Sequence, residues 1–162
     1  MQKALALLLL LPSLASAGTA AVSVRGRLMC NGQPFTNEKV ELYEKNWVRQ
    51  DSRMASIRTD NNGEFSMQGA IEEWPLFTPK PYIYIPNFCD IKNKLGYFEC
   101  ADSVQIYVPP VLIADGHLAT KTFDIGEVEM MNLETERKGL GYFVYTFVHH
   151  KECRENHEEK KH

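Results

Sequence analysis

Three residues near the C-terminus have the types and spacing of metal ligands. His150, Cys153 and His157 stand at positions i, i+3 and i+7, which a helix would place on one face, as zinc coordination requires. In an exported protein, however, a cysteine is more often half of a disulfide, and the surrounding residues read as a charged tail. We therefore predict no metal site and an oxidised Cys153.

The sequence offers little for acid–base or nucleophilic catalysis. The adjacent carboxylates Glu72 and Glu73 fall in a predicted loop, where neighbouring side chains diverge, so we interpret them as solvated residues. The nucleophile elbow Gly-x-Ser-x-Gly is absent from the sequence, and no serine, cysteine or histidine stands in a recognisable triad. The sequence predicts a protein that is not an enzyme and uses no cofactor.

Two groups of side chains have the chemistry of a binding surface. Arg25 and Arg27 are predicted to project from the outer face of the first strand, where they and Lys39 of a neighbouring strand would form a basic patch for a phosphate group. The second group consists of aromatic residues that could line an apolar binding surface: Trp74, Phe77, Tyr82 and Tyr84. The alternatives are a solvated sheet face for the basic residues and core packing for the aromatic ones.

The four cysteines predict two disulfides. Cys30, Cys89, Cys100 and Cys153 are an even number in a chain with an export signal, and they allow three pairings. The short separation of Cys89 and Cys100 across a polar loop favours a bridge between them. That bridge would leave Cys30 to pair with Cys153 and close a long loop.

Residues 1–17 read as a cleavable signal peptide. Lys3 precedes an apolar run that is too short to span a bilayer, and small residues end it at Ala15-Ser16-Ala17. We expect the mature chain to begin at Gly18 and to be secreted, in the extracellular region or at the cell surface. The formal net charge of −3 favours neither nucleic acid nor an anionic membrane as a partner, and no other apolar stretch is long enough for a transmembrane segment.

The elements that must position these residues are short β-strands separated by turns. Residues 21–29, 39–44, 54–59 and 103–108 alternate or nearly alternate between apolar and polar types. Asp60-Asn61-Asn62-Gly63 has the composition of a hairpin turn, residues 90–99 allow at most a helical turn, and Gly126 indicates a bulge in the strand over residues 120–131. The side chains predicted to face the core are Val24, Val40, Leu42, Phe65, Ile106 and Phe123.

Residues 142–148 form the most unusual segment, because nearly every position is aromatic or β-branched. They predict a strand whose two faces are both covered. It either lies centrally in one sandwich or pairs at an edge with a second copy to form a homodimer, in which case Tyr145 and Phe147 contact the partner. We expect the domain to span residues 18–148 and residues 149–162 to form a charged tail.

Three stretches resemble the nematode transthyretin-like family. The first is Val24-x-Gly26-x-Leu28-x-Cys30-Asn31-Gly32-x-Pro34, followed by Val40-Glu41-Leu42-Tyr43-Glu44. The second is Thr59-Asp60-Asn61-Asn62-Gly63-Glu64-Phe65. The third runs from Pro81-Tyr82 through Cys89 and Cys100 to Phe123-Asp124-Ile125-Gly126. The resemblance implies an all-β, transthyretin-like β-sandwich of seven to eight strands with Greek-key connections.

The resemblance also implies a function. Members of the family are extracellular or cell-surface proteins that bind a hydrophobic small molecule, a lipid or another protein, without known catalysis. The family usually has a histidine where this chain has Asn87, and a basic residue is common where it has Phe88.

Two alternatives are a structural surface-coat protein and a hydroxyisourate hydrolase, which shares the transthyretin fold. The hydrolases place a histidine at the position of Arg25 and end in Tyr-Arg-Gly-Ser, and this chain has neither feature.

Overall fold

The computed structural model describes residues 18–47, 49–73, 78–89, 91, 93–95, 98–131, 133 and 145–155. These residues form two β-sheets that pack face to face, which confirms the predicted all-β sandwich. Within them, eight strands have six or more residues: β1 (Gly18–Cys30), β3 (Lys39–Glu44), β4 (Ser52–Arg58), β5 (Glu64–Glu73), β6 (Pro81–Pro86), β8 (Phe98–Tyr107), β10 (Thr122–Glu129) and β11 (Tyr145–Glu155). Three more are short: β2 (Gln33–Pro34), β7 (Asn93–Leu95) and β9 (Ala114–Asp115).

The first sheet is built around β1. This strand pairs antiparallel with β5 and parallel with β10, and the short strands β2 and β9 add antiparallel pairs. A parallel pair needs a long connection, and here the chain runs through the second sheet between β1 and β10. In the part of the chain described, no helix has the length and apolar character needed to cross a membrane.

The second sheet has the strand order β11-β8-β6-β3-β4, and β7 also pairs with β8. All of its pairs are antiparallel. The central strand β6 is buried along its whole length, so both of its faces are covered. Its inner face lies in the core, and its outer face carries the site described below.

The turn at residues 60–63 lies where the sequence predicts it, but it does not make a hairpin. It connects β4 of the second sheet to β5 of the first. Asp60 closes the turn, because its carbonyl accepts from the Gly63 N–H at 3.0 Å and its carboxylate accepts from the Glu64 N–H at 2.8 Å. Gly63 has a φ of 77°, and a Cβ there would lie 2.3 Å from the carbonyl oxygen of Leu28.

The core between the two sheets contains the apolar side chains that alternate along the strands. All six residues predicted to face the core are at most 5% exposed: Val24, Val40, Leu42, Phe65, Ile106 and Phe123. Each strand contributes every second residue to this layer, because successive side chains point to opposite faces. This burial is the main source of stability for the fold.

A bulge in β10 lies at the predicted glycine. Arg25 pairs with Asp124 and Arg27 pairs with Glu127, so one residue of β1 is opposite two residues of β10. Gly126 has a φ of 69°, in the left-handed region that favours glycine. The bulge keeps Ile125 and Val128 both buried although they are three residues apart.

Three predicted features change in the structure. Glu72 and Glu73 belong to strand β5, where they pair with β1, and not to a loop. Residues 93–95 form strand β7 instead of a helical turn, and β7 pairs with the first residues of β8. Strand β11 continues to Glu155, seven residues beyond the expected domain end at residue 148. Of the aromatic run, residues 142–144 lie outside the described residues, and residues 145–148 pair with β8.

Two disulfides are present, with pairings that differ from the favoured ones. They join Cys30 to Cys89 and Cys100 to Cys153, with Cα–Cα distances of 5.6 and 4.1 Å. The predicted pairs Cys89–Cys100 and Cys30–Cys153 are therefore wrong. Strand β7 lies between Cys89 and Cys100 in the chain. Its residue Asn93 pairs with Cys100 on one side of β8, and Cys153 of β11 pairs with Cys100 on the other side of β8.

Candidate functional site

The outer face of the second sheet carries a row of tyrosines. Ile83 and Ile85 of β6 point into the core, so Tyr82 and Tyr84 point outward. The strand register places Tyr43 of β3 and Tyr107 of β8 on either side of Tyr82. The Tyr43 and Tyr82 rings stack at a centroid distance of 5.8 Å, and the Tyr82 and Tyr107 rings lie 5.4 Å apart.

A second row of residues lies beside the tyrosines. In the same register, Glu41 of β3 and Gln105 of β8 flank Tyr84. The Tyr43 ring meets the Tyr84 ring edge-on at 5.9 Å, which connects the two rows. Tyr82 and Tyr84 are only 3% and 8% exposed. Their rings are packed against neighbouring side chains, and their hydroxyls hydrogen-bond to carboxylates.

Asp51 is the first of these partners. The Tyr82 hydroxyl donates to Asp51 Oδ2 at 2.7 Å, and the Lys45 ammonium donates to the same oxygen at 3.1 Å. The backbone N–H of Asn46 donates to Asp51 Oδ1 at 2.9 Å. These bonds fix the loop between β3 and β4 against the end of β6.

Glu152 of β11 is the second carboxylate. It accepts from the Tyr84 hydroxyl at 3.1 Å and from the Lys39 ammonium. Because Lys39 lies on β3, this contact reaches from one edge strand across the sheet face. Glu152 therefore forms a wall on the β11 side.

Glu41 is the third carboxylate and the most buried, with a side chain only 4% exposed. Tyr43 donates to it at 3.2 Å and Arg53 of β4 donates to it at 3.2 Å. The Lys39 ammonium lies 3.6 Å away. A buried carboxylate needs such partners, since an unpaired one would carry a large desolvation cost.

Together these residues line a concavity of about 540 Å³, which we call the tyrosine–carboxylate groove. Its lining consists of Lys39, Glu41, Tyr43, Lys45, Gln50, Asp51, Tyr82, Tyr84, Gln105, Glu152 and Cys153. The carboxylates are the more buried charges, and the cations at the rim are the more exposed ones.

The pKa values of two tyrosines and one aspartate of the groove are shifted. Burial raises the pKa of Tyr84 to about 12, and the charge of Glu152 acts in the same direction. Burial, with the hydrogen bond to Asp51, raises the pKa of Tyr82 as well. Burial alone would raise the pKa of Asp51, but hydrogen bonds from Tyr82, Asn46 and Lys45 outweigh it and lower that pKa.

Arg25 and Arg27 lie at a different concavity, on the first sheet. This concavity has a volume of about 600 Å³. Arg25 forms an ion pair with Asp124 at 2.8 Å, and Arg27 forms one with Glu127 at 3.3 Å. The prediction that Lys39 joins them is wrong, because Lys39 belongs to the second sheet. The acidic partners also cancel most of the positive charge expected of a phosphate site.

The remaining predicted site residues have different outcomes. Trp74 and Phe77 lie outside the described residues. Tyr145 and Phe147 belong to β11, where their backbones pair with Ile106 and Val104 of β8. The predicted aromatic surface is therefore placed only at Tyr82 and Tyr84.

Four groove residues are not among the site residues predicted from the sequence: Glu41, Tyr43, Asp51 and Glu152. The alternation in β3 contains a signal for two of them, because inward Val40 and Leu42 leave Glu41 and Tyr43 on the outer face. No local sequence pattern identifies Asp51 or Glu152 as a site residue. They reach the groove through a loop and through the pairing of β11 with β8.

The two positions that depart from the family pattern have structural partners away from the groove. The Asn87 side chain donates to the carbonyl of Met130 at 2.9 Å. The guanidinium of Arg154 lies 4.0 Å from the centre of the Phe88 ring, and it also pairs with Glu38 and Glu99. A basic residue at position 88 would meet Arg154 with like charge.

The spacing of His150, Cys153 and His157 would place three metal ligands on one face only in a helix. His150 and Cys153 belong to a strand and not to a helix, Cys153 is oxidised, and His157 lies outside the described residues. Within the residues that are described, no three histidine, cysteine, aspartate or glutamate side chains are grouped as metal ligands.

Comparison with known proteins gives consistent matches. A sequence model of the transthyretin-like family matches residues 25–109, just over half of the chain. Transthyretin-like protein 2 of Caenorhabditis elegans is 30% identical over 118 residues, which are 69% of this chain and 76% of that protein. Transthyretin-like protein 46 of the same organism is 38% identical over 117 residues, which are 71% of this chain and 60% of that protein.

A third relative and one solved structure complete the comparison. Transthyretin-like protein 5 of C. elegans is 31% identical over 113 residues, 69% of this chain and 77% of that protein. A 9R-lipoxygenase from Cyanothece PCC8801 aligns with 67% of this chain and 16% of its own, at 15% identity and a TM-score of 0.35, a similarity too low to bear on function. On the sequence matches, the chain belongs to the transthyretin-like family.

Proposed function

We propose that this protein is a secreted binding protein whose ligand or partner occupies the tyrosine–carboxylate groove. The observation that carries the proposal is the repeated arrangement in which each of three carboxylates accepts from one tyrosine hydroxyl and one cation. Such an array holds polar groups in fixed positions before a ligand arrives, and this lowers the entropy cost of binding.

The same array supports binding over catalysis. A general acid or base works best when its pKa lies near the working pH. The pKa of Tyr84 is raised to about 12, and the pKa of Asp51 is lowered. These two groups therefore keep one protonation state at neutral pH, and we propose that the protein is not an enzyme.

The disulfides support an extracellular location. The bridge from β1 to the turn after β6 and the bridge from β8 to β11 are of a kind that persists in oxidising compartments and is rare in reducing ones. With the signal peptide expected over residues 1–17, we propose release into the extracellular region, with retention at a cell surface through a bound partner.

The polar lining changes the kind of ligand that we propose. A hydrophobic small molecule or a lipid chain would cover the charged groups of Lys39, Glu41 and Lys45 without replacing their contact with water. The concavity beside Arg25 is also lined largely by charged residues. We therefore favour a polar ligand or a polar protein surface at either position.

The test is to identify what the groove retains. The full chain is produced in a secreting eukaryotic host, recovered from the medium, and its N-terminus is sequenced; we expect it to begin at Gly18. Molecules that co-purify are identified by mass spectrometry for the unmodified protein and for Gln50→Trp, which places a bulky ring at an exposed position lining the groove.

Ser66→Trp is the matched control, since Ser66 is also exposed and lines the concavity of the first sheet. We expect Gln50→Trp to lose the co-purifying molecule and Ser66→Trp to keep it. Retention by Gln50→Trp with loss in Ser66→Trp would move the site to the first sheet.

A second copy of the chain is the other candidate partner, favoured by the place of β11. Among the described residues, β11 pairs on one side only, with β8, and an edge strand invites pairing. We propose a homodimer through this edge. Light scattering is expected to show a dimer that Tyr145→Lys with Phe147→Lys converts to a folded monomer. A monodisperse monomer of the unmodified chain at high micromolar concentration would contradict it.

A further inference from the structure

We propose that the tyrosine–carboxylate groove binds an uncharged carbohydrate. The proposal rests on the proposed function, because it names the ligand class of the same groove.

Each charge that lines the groove is already paired within the protein. Lys39 and Lys45 of the lining contact the carboxylates of Glu41, Asp51 and Glu152, and Arg53, which lies outside the lining, also pairs with Glu41. An anionic or cationic ligand would have to displace one of these internal partners and leave a half-buried charge without compensation. An uncharged ligand makes no such demand.

The groove nevertheless offers donors and acceptors of hydrogen bonds in close alternation. An ammonium has about three N–H donors and a carboxylate about four acceptor positions, more than the contacts within the groove use. The Gln50 and Gln105 amides add further polar groups to the lining. A sugar hydroxyl both donates and accepts, so neighbouring hydroxyls on one ring can address a carboxylate and an ammonium together.

The aromatic residues fit the apolar side of a sugar. Tyr43 lies at the junction of the two rows, in contact with the rings of Tyr82 and Tyr84, and it is the least buried of the three. The negative face of an aromatic ring attracts partly positive hydrogens, such as the C–H groups of a pyranose. The groove thus combines a ring surface with polar groups around it.

The size of the groove agrees with a short oligosaccharide. Its volume of about 540 Å³ lies within the range of about 300–1,000 Å³ that is usual for small-molecule sites. Rim cations that are about a third exposed, such as Lys39 and Lys45, leave the groove open at the surface, as a site for part of a longer chain would be.

The test uses isothermal titration of the full mature protein with cellotriose, maltotriose and the N-acetylglucosamine trimer. The fully deacetylated glucosamine trimer is the cationic counterpart of the last, and a heparin hexasaccharide is the anionic probe. We expect at least one neutral trisaccharide to bind, with a Kd that changes by less than about twofold between about 0.05 and 0.5 M NaCl, because no counter-ion is displaced.

The groove variants then locate the binding. Lys45→Ala removes one donor at the rim and is expected to weaken the neutral sugar about tenfold, the loss of a hydrogen bond to a charged group. Gln50→Trp is expected to abolish binding, and Ser66→Trp is expected to leave it unchanged. Circular dichroism melts confirm that each variant is folded.

Three outcomes overturn the proposal in different ways. If only the glucosamine trimer or the heparin hexasaccharide binds, with strong salt dependence and with loss in Gln50→Trp, the groove is a binding site but its ligand is charged. If no saccharide binds while other molecules still co-purify through the groove, the carbohydrate is wrong and the proposed function stands. If Gln50→Trp affects no ligand at all, both are wrong.

Discussion

Cys153 of β11 lies directly opposite Cys100 of β8, with a Cα–Cα distance of 4.1 Å, and a disulfide joins them. The residues on either side of Cys153 are also anchored. Glu152 contacts Lys39 and Tyr84 in the groove, and Arg154 contacts Glu38 and Glu99. The bridge therefore ties the strand that supplies one wall of the groove to the rest of the sheet.

The disulfide pairing is directly testable. Peptide mapping without reduction is expected to recover Cys30 linked to Cys89 and Cys100 linked to Cys153, with no free thiol. Replacing Cys100 and Cys153 together by serine should lower the free energy of unfolding by about 4 kcal/mol, since the bridge constrains residues 53 apart in the unfolded chain. A peptide linking Cys89 to Cys100 would contradict the structure.

The core should respond strongly to the loss of one aromatic ring. Phe65 is 4% exposed between the sheets, so Phe65→Ala is expected to cost about 3–5 kcal/mol of unfolding free energy. Ile57→Ala, at a position 38% exposed on β4, is the control and should change stability much less. Urea denaturation measures both, and equal effects would mean that the turn after β4 is placed wrongly.

Two glycines with similar backbone angles separate strain from crowding. Gly63 has a φ of 77° and Gly32 a φ of 72°, but only at Gly63 would a Cβ meet a backbone atom, the Leu28 oxygen at 2.3 Å. Both alanine variants carry the cost of the left-handed conformation. Gly63→Ala should be less stable than Gly32→Ala by about 1–3 kcal/mol, the usual cost of overpacking. Equal melting curves would contradict the close approach of the turn to β1.

Stability at alkaline pH should depend on Tyr84. Its pKa is raised to about 12 in the folded chain and is about 10 when unfolded. The folded state then holds the phenolic proton more tightly, so the stabilising contribution is complete below about pH 10 and is lost as the pH rises toward about 12.

We expect the unfolding free energy of Tyr84→Phe to fall less steeply over this range than that of the unmodified protein. Urea titrations at several pH values, with absorbance at the phenolate band, measure the difference. Val111→Ala, at an exposed position, is a control that should keep the original slope. The prediction fails if the Tyr84→Phe slope matches that of the unmodified chain.

Local patterns in the sequence predict the strands and the inward residues of this fold. Val24, Val40 and Phe65 can be identified because alternation depends only on neighbours along the chain, and each is buried. The glycine bulge at Gly126 was also predictable, since a left-handed φ favours this residue type.

The groove and the disulfide pairing depend on which strands lie side by side, and no local pattern contains that information. Tyr43, Tyr82 and Tyr107 form a row only because β3, β6 and β8 are neighbours in one register. The turn at Asp60 has the composition of a hairpin, yet it connects the two sheets because β4 and β5 find different partners.

The parallel pairing of β1 with β10 has a consequence for how the chain folds. Ser23 pairs with Thr122, and these two residues are 99 positions apart in the chain. The central strand of the first sheet is therefore synthesised long before its parallel neighbour. Contacts between such distant residues make folding slow, because a long loop must close before they form. Until β10 emerges, the apolar face of β1 with Val22 and Val24 lacks part of its cover, which is the kind of surface that chaperones bind. The rate-limiting step of folding is therefore expected to be the docking of β10, and substitutions along that pair, such as Val128→Ala, should slow refolding more than equally destabilising ones in the β3–β4 hairpin.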